Sequence, residues 1–344
     1  MRRKVPSFIK LALLVLLLFA VAALAQDDQS YKIRAKIDLV VVPVTVKGSG
    51  NKLITGLSKD DFVLLEDGNR QTISNFSTEP VPLSAAVVVD TGLGADSLAK
   101  VQQTFSALAG SFSQYDEVAV YRYDKFVTKI IDFSNNDEKF QMAMNTMRDL
   151  KPDVFAGIGS IPSGPFSIPG PVINGAAVLP PGQANPGGII TPPPKASKVL
   201  NDAIFTAAAD LSKRERSRRK MVLVISDGDT TGSDHSFDDA RNILLQFGVQ
   251  VYAIGLDQPF PFKKVSVLED YAKATGGDVY FVGSIRNIEN SYMTATEEAR
   301  NQYILSYVSN NEITGPGPVF RDITVQVATG KFKTLHRKGY YQYP

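Results

Sequence analysis

Cysteine is absent from all 344 residues. A folded chain of this kind must hold together by burying apolar surface, with no disulfide to help. It cannot be a lipoprotein anchored through a cysteine either. Histidine is scarce: His235 and His336 lie far apart with no cysteine or second histidine at ligand spacing, which argues for surface or turn positions and against a zinc site. The nucleotide signatures are missing too. GIGSIPSG has neither the dinucleotide spacing nor a P-loop lysine, and no strand precedes it. No G-x-S-x-G elbow occurs, and Ser226 has no histidine to serve as its base. Asp227 and Asp229 are a carboxylate pair, but such near neighbours on one loop seldom converge on a substrate.

What is present is ample apolar material, 44% hydrophobic against 21% charged residues, enough for a buried core. The first residues, MRRKVPSFIKLALLVLLLFAVAALAQ, put four basic side chains ahead of or within an apolar run that ends in Ala23-Leu24-Ala25. This reads as an export signal peptide over residues 1–25, because the stretch from Leu11 to Ala25 falls short of the roughly 20 residues of a membrane span and ends in a small-x-small site. The expected location is periplasmic or secreted. Losing the four basic residues takes the formal charge from +2 to −2, so no basic footprint for nucleic acid remains. The run SKRERSRRK, Ser212 to Lys220, lies between a helix and a strand and reads as a solvated connector.

Residues 26–80 read as mostly β. KIRAKIDLVVVPVTV, Lys32 to Val46, is a strand leading through KGSGNK into a hairpin; Ser58 and Asp61 make a short capped turn; and FVLLEDGNRQTISNF holds two strand pieces around Asp67-Gly68. From 81 to 302 strands and helices alternate. Strands are expected at Leu83 to Asp90, Glu117 to Tyr123, Thr128 to Phe133, Met221 to Ser226, Gln250 to Leu256 and Asp278 to Val282. Three apolar stripes at helical spacing lie between or after them, running from Leu200 to Leu211, from Ala240 to Phe247 with Ser236 and Gly248 as caps, and from Ile285 to Ala299. The alternation predicts a parallel sheet covered by helices on both faces. Residues 303–344 return to strands and are expected to pair with the N-terminal ones as one β platform. Between Lys151 and Lys195, about 40% of residues are proline or glycine, too many for a packed core, so this reads as a long insertion, inert or contacting a partner. The aromatics of YRYDKF and GYYQY are expected in sheet or core packing; an adhesive patch of Tyr340, Tyr341 and Tyr343 is the alternative.

Asp90 ends the first strand of the alternating region and Asp227 follows another, in VLVISDGDTTGS, so both carboxylates are expected beyond neighbouring strand ends, where open α/β sheets hold their ligands. AVVVDTGLGA followed by MVLVISDGDTTGS resembles the von Willebrand factor A (VWA) domain. The flanks VVVPVTVKGSGNKLITGLSKDDFVLLEDGNRQTISNF, NQYILSYVSNN, FRDITVQV and HRKGYY resemble the VWA-related domain described from acidobacterial genomes. The resemblance implies a doubly wound, mostly parallel α/β sheet flanked by helices. It also implies a metal-ion-dependent adhesion site, in which an Asp-x-Ser-x-Ser loop, a threonine and further aspartate surround a magnesium-like ion. Asp90 and Asp227 match the two aspartates, but Gly92 and Gly94 stand where the serines belong and Lys198 where the threonine belongs, with Ser197 one residue off.

Mg²⁺ seeks about six oxygens in an octahedron, and glycine offers no side-chain oxygen. The expectation is a degenerate site in which Lys198 pairs with Asp90 or Asp227 in the metal's stead, no cofactor being required although a divalent cation stays open. Function is then expected to be that of a non-enzymatic interaction or adhesion module, its partner a protein or cell-surface polymer. The candidate contact residues are Leu93, Asp96, Asp229, Thr230 and Thr231. Two other readings stand beside it: a metal-assisted hydrolase at Asp90, Asp227 and Asp229, and a structural envelope component.

Overall fold

The computed structural model describes residues 39–150, 172–173, 176–177, 198–256, 267–312 and 315–344. The signal-peptide reading of residues 1–25, the segment from Lys32 to Asp38 and nearly all of the 151–195 insertion lie outside these.

Strands β1 (Leu39–Lys47), β2 (Phe62–Glu66), β3 (Asn69–Arg70) and β4 (Ile73–Ser77) come first. Then follow β5 (Leu83–Asp90), α1 (Ala95–Gln103), α2 (Phe105–Gly110), β6 (Glu117–Tyr123), β7 (Val127–Ser134) and α3 (Asp137–Arg148). A two-residue antiparallel pair, β8 (Val172–Ile173) and β9 (Ala176–Ala177), precedes α4 (Leu200–Ser212), β10 (Arg219–Ser226), α5 (Phe237–Phe247) and β11 (Gln250–Gly255). The remainder is α6 (Val267–Thr275), β12 (Val279–Phe281), α7 (Ile285–Arg300), β13 (Tyr303–Val308), β14 (Val319–Val327), β15 (Lys333–Leu335) and β16 (Gly339–Gln342).

The central sheet has the order β12-β11-β10-β5-β6-β7, parallel throughout except for the β7 edge. Starting at β5 the chain builds outward through β6 and β7, then returns to the other side of β5 and builds the opposite way. This is the doubly wound order with its switch point between β5 and β10. Every residue of β5 is buried, as a strand covered on both faces requires. Leu83, Ala85, Val87 and Val89 share one core with Met221, Leu223, Leu98, Phe105, Met144, Ile288 and Tyr292, which brings α1, α2, α3 and α7 onto that face. Ala86 and Val88 face the other way, against α4, α5 and α6 through Leu200, Ile204, Ala207, Leu244, Leu268 and Tyr271. The cap reading of α5 agrees with the structure: Ser236 and Asp239 form a capping box, and Gly248 closes the helix in the left-handed region at φ 64°.

The strands at the two ends of the described chain interlock. β1 pairs antiparallel with β13 from Leu39↔Val308 to Val44↔Tyr303, and with β15 from Thr45↔Leu335 to Lys47↔Lys333. The second sheet, β16-β14-β2-β3, joins N- and C-terminal strands in the same way, and Val42, Val44, Leu64, Leu305, Tyr307, Ile323 and Val325 form a core common to both sheets. Lys47 fastens this platform to the α/β domain, its ammonium 2.6 Å from Asp278 and 2.5 Å from Glu298, with both Lys47 and Glu298 almost wholly buried.

Several expectations need correction. Helices α1, α2, α3 and α6 were not anticipated. The first two form a single apolar face broken at Thr104, whose hydroxyl bonds back to the Val101 carbonyl, and α3 carries its stripe on Phe140, Ala143, Met144 and Met147, where methionine blurs the pattern. After β1 the chain turns through KGSGNK and pairs back antiparallel, but the hairpin is no longer than a Lys47↔Leu53 bridge with the Ile54 amide donating to the Val46 carbonyl at 2.9 Å; the longer pairings of β1 are with β13 and β15. His336 is buried, accepting from the Val325 amide at 3.2 Å, where a surface or turn position was expected. Tyr340 is buried as well, which breaks up the C-terminal adhesive patch. The basic run is more than a solvated connector: Arg214 closes a 2.5 Å ion pair on Glu117, and Lys220 is buried.

Candidate functional site

At the switch point β5 and β10 end side by side, with Val89 paired to Ile225, so Asp90 and Asp227 emerge together. Asp90 is fully buried and its carboxylate is engaged on both oxygens. Oδ1 accepts from the Gly92 amide at 2.9 Å; Oδ2 accepts from Lys198 Nζ at 3.0 Å and from Ser226 Oγ at 3.2 Å. Asp227 Oδ2 accepts from the same ammonium at 2.6 Å, and its Oδ1 from the Asp229 amide at 3.0 Å. The structure thus brings Asp90, Gly92, Lys198 and Asp227 together around one nitrogen.

Backbone contacts hold Lys198 there. Its carbonyl accepts from the Gly232 amide at 2.9 Å, and the next amide, that of Val199, donates to the Asp124 carbonyl at 3.0 Å. The lysine is therefore clamped between the loops that follow β6 and β10, immediately ahead of α4. Burial pushes the Asp90 carboxyl up to about 6, against the pull of Lys198 and with Asp227 adding to the rise. Burial acts to lower Lys198, but the two carboxylates outweigh it and hold the ammonium above its ordinary value. The nitrogen is consequently a fixed cation and a poor proton acceptor.

Two residues of the floor were not singled out as parts of the site. Tyr123 lies opposite Asp90 in the β5–β6 register, and its hydroxyl meets Ser226 Oγ at 2.7 Å. Ser226 Oγ in turn accepts from the Gly228 amide at 2.9 Å. Aligning the ends of the expected strands would have set Tyr123 beside Asp90. The hydroxyl of Ser226 is bound on three sides, with no imidazole among its partners: His235 Nδ1 lies 2.7 Å from Asp202 and its ring stacks on Phe205.

The expected contact residues separate. Leu93 is corrected: it is buried in the core beneath the loop and cannot touch a partner. Gly94 and Asp96 are exposed, Gly94 as the residue that starts α1 and Asp96 in its first turn, where the helix dipole favours an anion. Asp229 is half-buried and accepts from the Thr231 amide at 3.2 Å; Thr230 is half-buried and Thr231 exposed.

Do these residues suit a divalent cation? They do not. An ammonium sits between the two carboxylates, and a Cβ built on Gly92 would lie 3.4 Å from both Asp90 Oδ1 and Lys198 Cε. The Thr91 hydroxyl points to the Tyr123 carbonyl at 3.1 Å, away from the carboxylates. Among the described residues no group of three or more histidine, aspartate or glutamate side chains is set to hold a metal.

No protein-family profile matches the sequence, and no curated protein matches it significantly. Solved structures do align. The conserved hypothetical protein BatB of Bacteroides thetaiotaomicron is 12% identical, with 63% of this chain and 98% of that one covered at a TM-score of 0.43. A von Willebrand factor type A protein from Catenulispora acidiphila is 8% identical over 81% of this chain and 73% of its own, at 0.44. The manganese-loaded TRAP protein of Plasmodium vivax is 11% identical over 81% and 98%, at 0.41. Likenesses this distant leave the strand order itself as the ground for the fold. By that order the central domain is a doubly wound, mostly parallel α/β sheet.

Proposed function

We propose that this chain is an exported, non-enzymatic interaction module of the VWA-related kind its flanks resemble, in which a lysine has taken the place of the adhesion-site cation. The observation that supports this reading is the Lys198 ammonium, 3.0 Å from Asp90 and 2.6 Å from Asp227 in a buried setting. It supplies the positive charge that two converging carboxylates need, and it does so without an ion from solution. The loops around it, from Gly92 to Asp96 and from Asp227 to Ser233, would then be held ready to meet a protein or cell-surface polymer with no metal present. Domain limits near residues 81 and 302, export through residues 1–25 and a periplasmic or secreted location belong to the same proposal. Among the described residues no helix is long and apolar enough to cross a membrane.

The experiment is a thermal melt in EDTA and then in millimolar Mg²⁺, Mn²⁺ and Ca²⁺, since a ligand that binds only the native state raises its midpoint. The wild-type midpoint is expected to stay level. The triple variant Lys198→Thr, Gly92→Ser, Gly94→Ser is expected to gain a Mg²⁺-dependent rise: removing Lys198 relieves the 3.4 Å approach to the new Cβ at Gly92, and nothing lies within 4 Å of one at Gly94. A wild-type rise with Mg²⁺, or no gain in the triple variant, would sink the reading.

A further inference from the structure

At the opposite edge of the central sheet, where β10 and β11 begin, a cavity of about 560 Å³ opens between α5, the start of β1 and the turn joining β15 to β16. Its size is that of a small-molecule site, for which roughly 300–1,000 Å³ is usual. Five cations line it, Arg216, Arg218, Arg219, Lys220 and Arg337, and among the described residues its lining includes no acidic side chain.

Only part of this charge is answered within the protein. Arg218 donates to the carbonyls of Leu83 and Tyr115 and lies 3.6 Å from Glu117. Lys220 reaches the Ser212 carbonyl at 3.5 Å, at the C-terminal end of α4, where the helix dipole favours a cation. Arg219 and Arg337 are different. Each buries its Nε without a hydrogen-bond partner, and among the described residues neither meets a carboxylate. Arg337 lies over the Tyr340 ring at 5.5 Å and is tethered through a backbone bridge to Thr275. Burial lowers both guanidiniums, Arg219 to about 10. Arg219 and Arg337 are half-buried with Nε sealed from water, and leaving such charge unmatched is costly, so the arrangement calls for an anion that the described residues do not supply.

The rim adds an apolar component. Leu39 is 57% exposed, Val41 41% and Phe247 38%, all on this one cavity. We propose that the cavity binds an organic phosphate, its dianionic head on Arg219, Arg337 and Lys220 and its apolar part across Leu39, Val41 and Phe247. A guanidinium fork matches phosphate oxygens two at a time, and five cations with no acid favour a dianion over a carboxylate. One ligand would answer both the unpaired guanidiniums and the exposed apolar rim.

Calorimetric titration of the intact protein with decyl phosphate, inorganic phosphate and decyl maltoside tests this. Decyl phosphate is expected to bind one to one, at least about tenfold tighter than either control, because only it engages both parts of the cavity. Arg219→Met and Arg337→Met are each expected to weaken it about tenfold or more while leaving the unliganded melting midpoint unchanged or higher, since each removes a half-buried charge that meets no carboxylate among the described residues. A purely structural arginine would lower that midpoint. Should the buried variants fail to fold, Arg216→Gln and Phe247→Ser on the rim carry the same test. Binding no tighter than that of decyl maltoside, or unaffected by all these substitutions, overturns the proposal. Co-sedimentation with phosphatidic acid vesicles, and not with phosphatidylcholine, assigns the phosphate to a lipid headgroup; decyl phosphate binding without it assigns a free organic phosphate.

Discussion

Two lysines in this protein do the same thing in different places. Lys47 bridges Asp278 and Glu298 in the seam between platform and α/β domain, and Lys198 bridges Asp90 and Asp227 at the sheet's switch point. The first cluster is closed on nearly every side: Lys47 and Glu298 are 1% exposed and Asp278 13%. The second opens to solvent at Asp227, whose side chain is 28% exposed. An ammonium between two carboxylates is thus a general fastening in this chain. What sets Lys198 apart is its position at the switch point of the sheet, where open α/β sheets in general hold their ligands, with loops on either side of it.

The largest test of the comparison removes each lysine. Lys47→Met leaves Glu298 without its cation in the dry seam and Asp278 with only Lys333, 3.5 Å away, and is expected to cost about 4 kcal/mol in denaturant unfolding, within the usual range for breaking a buried pair. Lys198→Met is expected to cost less, about 3 kcal/mol, because water can reach Asp227. Equal losses would mean that the two clusters are equivalent. Neutralising the stranded acids sharpens the point: adding Asp278→Asn and Glu298→Gln to Lys47→Met, or Asp90→Asn to Lys198→Met, is expected to recover roughly half of each loss.

A titration of the Asp90 carboxyl carbon by NMR comes next, with an expected midpoint of about 6. Because this pKa is raised above the unfolded value of 3.8, the stability tied to the Asp90 proton is fully present below pH 3.8 and is lost as pH rises through about 6. In Lys198→Met the midpoint should move higher still; a lower one would show that the lysine does not govern the carboxyl. The smallest effects belong to the glycines. Gly92→Ser alone is expected to cost about 1 kcal/mol, since its Cβ crowds Lys198 Cε and Asp90 Oδ1 at 3.4 Å, whereas Gly94→Ser meets open space and should stay within about 0.5 kcal/mol.

Legibility from the residues followed the range of the interactions. Strands β5, β10 and β11 could be read because parallel strands covered on both faces need unbroken apolar runs, and α4, α5 and α7 because their stripes are long. Lys198 is legible through the resemblance, which places a threonine at its position, and the two aspartates through the ends of their strands. Helices α1, α2 and α6 are of nine residues or fewer and hold too few apolar positions to separate a helix from a loop, and the longer α3 lacks the capping box and closing glycine that mark α5 in the sequence. Tyr123 could have been placed beside Asp90 by aligning the two strand ends, whereas the burial of Leu93 depends on how its loop folds over the core, which local pattern does not encode. Arg219 and Arg337 line one cavity from distant parts of the chain, and nothing in either segment announces the other.

The pairing of the first described strands with the last has a temporal consequence. Strand β1 finds β13 and β15 only after the whole α/β domain has been made, because Leu39 pairs with Val308 and Thr45 with Leu335. As the chain emerges, β2 and β3 can pair with each other, but β1, β2 and β4 must wait for their C-terminal partners while β5 to β12 can already assemble around their own two cores. Contacts this far apart in sequence form slowly. The platform is therefore the last part of the molecule to close, and a partner that captured β1 before β13 arrived would meet an unpaired strand edge that the finished protein never presents.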